Sequence, residues 1–178
     1  MKLDKIKKFI LPTFAIITVV AVIIINISSP KNNTSKEDDT FSKVISQPKV
    51  IEATVNENGD LLINKVDIST EVSFIGYTLN NTYMELLATK TKDGTIKFAL
   101  NTCSVCNGSP RAYFVKSGNK ILCQNCRNKF DFTEIGETSD GCSPIALSKS
   151  DIQLDNNTII IKNNYLEKNI KKFKGWKI

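Results

Sequence analysis

Hydrophobic positions follow three different patterns along this chain. From Phe9 to Ile27 they form one run of 19 residues without a charge. Wound as a helix at about 1.5 Å per residue, the run would reach about 28 Å, close to the ~30 Å hydrocarbon core of a bilayer. Pro12 falls in its first turn, where a missing N–H costs little. From Ser28 to Gln47 the apolar pattern stops and Asn, Ser, Lys and Asp dominate, as in a flexible tether. From Pro48 onward, short alternating runs are separated by turn signals.

Those runs predict strands. Val50 to Val55 is followed by Asn58-Gly59-Asp60 and then Leu61-Leu62-Ile63, a hairpin signal. Val72 to Tyr77, Met84 to Thr89 and Ile96 to Leu100 continue the style, with a tight turn at Asp93-Gly94. Tyr113-Phe114-Val115 and Ile121-Leu122 flank Gly118-Asn119, a second hairpin, and Asn157 to Lys162 forms a late strand. Helical periodicity is weak apart from Tyr165 to Phe173. The expected fold class is mainly β: a small β domain with two inserted C-x-x-C metal knuckles, preceded by a single transmembrane helix.

Charge orients that first segment. Lys2, Lys5, Lys7 and Lys8 precede the apolar run, whereas Glu37, Asp38 and Asp39 follow it, which predicts the N-terminus inside and the rest outside. A cleaved signal peptide is the alternative. Ser28 and Ser29 are small, but there is no A-x-A pattern, and the run is longer than a usual signal core. We therefore expect residues 1–8 as a cytoplasmic basic N-terminus, 9–27 as an uncleaved signal anchor, 28–47 as a linker, and 48–178 as an extracytoplasmic β domain on the cell membrane. The formal net charge is +6. The basic stretch Lys168, Lys171, Lys172, Lys174, Lys177 has few interleaved aromatics and no recognition motif, so no nucleic-acid partner is expected. The chain has no histidine, which removes Ser-His and Cys-His dyads and imidazole-ligated metals.

The remaining chemistry lies in five cysteines. Cys103/Cys106 and Cys123/Cys126 are two C-x-x-C pairs separated by 16 residues, and Cys142 follows in Gly141-Cys142-Ser143-Pro144. Two thiolates on one tight turn can grip one ion, and two such turns close an S4 site suited to zinc or to iron and its sulfide clusters. Asn107-Gly108 and Asn128 tolerate a positive φ after each second cysteine, so backbone N–H groups can point at sulfur and stabilise its charge. Two structural disulfides are the alternative for an exported domain. Thiol exchange is another, although the βαβ frame of thioredoxin-type motifs is missing. Cys142 is either a member of the site or a packed small hydrophobe.

The strings Ile96 to Cys106, Ile121 to Cys126, Ile135-Gly136-Glu137 and Gly141 to Leu147, with Phe130, resemble the FtrD-like membrane iron–sulfur domain from roughly Asn64 to Ile178. The sequence departs from that family's pattern at Thr102, Asn107 and Ser143, and it has one apolar run where longer relatives have many. The resemblance implies a membrane-attached protein with an iron–sulfur cluster, associated in some bacteria with ferrous-iron uptake. It carries over Cys103, Cys106, Cys123 and Cys126 as metal ligands and Cys142 as a further cofactor-binding member. The expected function is electron transfer with membrane redox or metal-transport partner proteins. The alternatives are a structural zinc-ribbon interaction module and an extracytoplasmic thiol–disulfide oxidoreductase. No catalytic residue is expected.

Overall fold

Alternation in the sequence becomes a central sheet buried on both faces. A computed structural model describes residues 49–137 and 141–177. The apolar run at 9–27 and the tether at 28–47 lie outside the described residues, as do the expectations about topology that rest on them. Among the described residues, no helix is long and apolar enough to cross a membrane.

The elements in chain order are β1 (Val50–Glu52), β2 (Thr54–Val55), β3 (Leu61–Asn64), β4 (Ser73–Leu79), β5 (Thr82–Lys90) and β6 (Ile96–Cys103). They continue with β7 (Phe114–Ser117), β8 (Lys120–Cys123), β9 (Lys129–Asp131), β10 (Pro144–Ala146), β11 (Ile152–Asp155), β12 (Thr158–Ile161) and a short helix, α1 (Asn163–Asn169). The central sheet has the order β1-β4-β5-β6-β10; a second has β11-β12-β3-β2, and a third has β7-β8-β9. Among the described residues only β1 and β4 pair in parallel; the other pairs are antiparallel.

The two-residue period of a strand sorts the side chains of the central sheet. Ile75, Tyr77, Met84, Leu86, Ala88, Phe98 and Leu100 face one core, where Leu61, Ile63, Ile159 and Ile161 of the second sheet meet them with Leu166, Phe173 and Trp176. The intervening Phe74, Leu87, Ala99 and Cys103 face the other core, closed by Phe114, Ile121, Cys123, Phe132 and Ile135. The cysteine-bearing sheet is thus one outer layer of three. Burying each large side chain contributes about 1.5–3 kcal/mol, so both cores hold the central sheet firmly.

Several expected strands appear close to their predicted bounds, and the Gly118-Asn119 turn does join β7 to β8. The stretch from Val50 to Val55 differs. It breaks at Ala53, so that β1 pairs with β4 while β2 pairs with β3, and one segment laces two sheets. Short β9, β10 and β11 lack a clear apolar pattern: Leu154 of β11 is 63% exposed, and β10 opens on a proline. The predicted helix forms as α1 followed by a 3-10 turn at Ile170–Phe173.

Candidate metal centre

Each C-x-x-C pair sits where a strand ends. Cys103 is the last residue of β6 and Cys123 the last of β8, so both first cysteines enter the core and are fully buried. After each, the chain makes the same turn. Asn107 N donates to Cys103 O at 2.9 Å, and Arg127 N donates to Cys123 O at 3.0 Å. Each first cysteine also donates its own N–H across the base of its turn, Cys103 to Ala112 O and Cys123 to Asn128 O, both at 2.9 Å. This repetition places both second cysteines, Cys106 and Cys126, at half-buried positions.

The positive φ that lets each turn close is found at Gly108, as expected, but after Cys126 it is Arg127 at φ +66 and not Asn128. Asn128 instead directs its backbone N–H at the Cys126 sulfur, while the backbone of Cys126 and Asn125 does the same for Cys123. The expectation that these turns aim N–H groups at sulfur therefore holds for the second pair.

The loops are stitched together. Ser109 Oγ donates to Asn125 Oδ1 at 2.9 Å, and Gln124 N donates to Tyr113 O at 2.8 Å. Beneath them, Asn101 acts as a surrogate strand residue: its Oδ1 accepts from Phe114 N at 2.8 Å and its Nδ2 donates to Phe114 O at 3.3 Å and to Glu85 Oε2 at 2.8 Å. Glu85 is itself buried and receives Tyr83 Oη at 3.0 Å and Lys177 Nζ at 2.6 Å. Nothing in the local sequence marks Glu85 or Asn101 as supports of the knuckles. The signal is tertiary, since the β5–β6 register sets them opposite each other.

All five cysteines are free thiols. The sulfurs of Cys103, Cys106, Cys126 and Cys142 all lie within 4.8 Å of one another. Cys123 lies outside that mutual group of four, beside Cys126. Burial, with the neighbouring thiols, pushes Cys123 and Cys142 up to about 12 and also raises Cys106. Cys126 is the exception. Burial acts to raise it, but the Asn128 N–H and the thiols of Cys123, Cys142 and Cys106 together hold it below the usual thiol range. Of these four thiols, Cys126 alone is shifted towards its thiolate form by its neighbours.

This donor set fits a thiolate-bound metal. Soft sulfur ligands select zinc, iron or iron–sulfur centres, and a single tetrahedral ion with bonds of ~2.3 Å would space its sulfurs by about 3.8 Å, inside the 4.8 Å within which these four lie. The arrangement is that of a metal-binding protein. Comparison with known proteins matches the chain to the family described as membrane iron-sulfur containing protein FtrD-like, over residues 66–173. No curated protein and no solved structure matches the chain. The matched span takes in all five cysteines and more than half of the sequence, and on that ground the chain belongs to the FtrD-like family of membrane iron–sulfur proteins.

Proposed function

We propose that this protein is a membrane-attached iron–sulfur protein that passes single electrons to a partner in the same membrane, in the service of metal uptake. The observation that carries the reading is the gathering of four thiol sulfurs within 4.8 Å, drawn from three separate segments, in a chain of this family. A thiolate-held iron centre supplies one-electron chemistry when bound. The residues of this chain would bind it, through the cysteine sulfurs, and shelter one side of it. Phe114 and Phe130 pack edge to face at 5.8 Å in the same core as the cysteines and exclude water there. The other side is open: Cys106, Cys126 and Cys142 are half-buried, and Val105 between the first pair is 63% exposed. An exposed apolar tip beside the sulfurs suits a brief contact with a redox partner.

The matching N–H to carbonyl bond that closes each C-x-x-C turn also suits a zinc ribbon, whose metal only holds the fold. Purification without oxygen decides between them. The expected result is bound iron, visible sulfur-to-iron absorption and a reversible one-electron potential. One zinc per chain, with no iron and no redox signal, would defeat electron transfer and establish the structural site.

A further inference from the structure

Five thiols surround a site that needs four, and spacing alone assigns the whole set to the two C-x-x-C pairs. Sulfur positions point elsewhere, because the mutually close group contains Cys142 and omits Cys123. We infer that Cys103, Cys106, Cys126 and Cys142 ligate the metal, and that Cys123 is a buried supporting thiol packed against Cys126. This rests on the metal-centre reading above and assigns its ligands.

The placement of Cys142 is built, not incidental. Strand β10 pairs Pro144 with Cys103 but Ile145 with Leu100, a shift that leaves Asn101 and Thr102 as extra residues on β6. Such a bulge bends its strand and re-aims what lies beyond it. Gly141 precedes Cys142 at φ +106, a conformation that glycine adopts without a Cβ penalty. The turn is then clamped to the first knuckle: Ser104 N donates to Ser143 O at 2.8 Å, Ser143 N donates to Ser104 Oγ at 3.2 Å, and Ser104 Oγ donates to Gly141 O. Ser104 lies between Cys103 and Cys106, so one residue fixes the Cys142 turn against both sulfurs of the first pair.

Cys123 is held differently. It is fully buried, and the backbone of Asn125 and Cys126 faces its sulfur. In that position it completes the surroundings of Cys126. Outer-layer groups of this kind orient a ligand and tune the centre without touching the metal.

Cadmium-113 loaded into the full chain in detergent tests the assignment, since its coupling to cysteine β-protons names each ligand directly. The expected spectrum shows correlations to Cys103, Cys106, Cys126 and Cys142. Any correlation to Cys123, or none to Cys142, overturns the assignment while leaving a metal centre intact. A chain that takes up no cadmium overturns both. Cadmium affinity of two variants gives a second measure. Cys123→Ala should stay within the roughly 10–100-fold loss typical of an outer-layer group, and Cys142→Ala should exceed it. The reverse order overturns the inference.

Discussion

Thiol protonation couples the cysteine cluster to stability. Folded Cys123 and Cys142 stay protonated up to about 12, largely because burial disfavours the thiolate, whereas an ordinary thiol ionises near 9.0. The unfolded chain therefore loses these protons first as pH rises. Stability from these two thiols is present below about 9 and is lost between about 9 and 12. Thermal melts of metal-free protein should thus fall in temperature across that window, and metal-loaded protein, whose ligands are already deprotonated, should fall less. Parallel curves for the two forms would sink this account. The five cysteines and the turn glycine Gly108 were legible from the sequence. Arg127 was not, because nothing intrinsic to arginine favours a positive φ, and Asn107 makes the equivalent bond in the first turn without one.

At the scale of elements, the knuckles are only as well placed as the strands that end in them. Asn101 fastens β6 to β7 through both backbone groups of Phe114, directly opposite the second hairpin strand at Cys123. Replacing Asn101 by Leu would strand the N–H and C=O of Phe114 and remove a donor from Glu85. With each orphaned buried group costing about 1–3 kcal/mol, the loss should be about 3 kcal/mol or more. The denaturant midpoint should drop accordingly and metal affinity with it; an unchanged midpoint would show that Asn101 is not a fastening. The strongly alternating strands β4 to β8 were readable because each buries one or both faces. The segments Lys129–Asp131 and Ile152–Asp155 were not, since edge pairing and not apolar period makes them strands. Glu85, the one acidic residue in the run Met84 to Thr89, is buried. Its burial is explained by its partners, Tyr83, Asn101 and Lys177, the last of which arrives from 92 residues away.

For the whole molecule, the site collects residues from one outer layer and from the edge of the central sheet. Sequence spacing revealed the tandem pairs but could not show that β10 returns to β6, because that return depends on a pairing between segments some 40 residues apart. Its consequence is topological. With Cys142 as a ligand, one ion ties residue 103 to residue 142 and turns the 38 residues between them into a closed ring that contains all of β7, β8 and β9. By chain-entropy arithmetic, closing a ring of that size in the denatured ensemble is worth about 4 kcal/mol. The outer sheet then cannot detach as a free flap: it can only breathe as a tethered loop until the ring is cut. Amide hydrogens of Val115 and Leu122 should therefore exchange at the rate at which metal leaves, so that a chelator speeds both together. Exchange there that ignores the metal would mean that the ring is never closed.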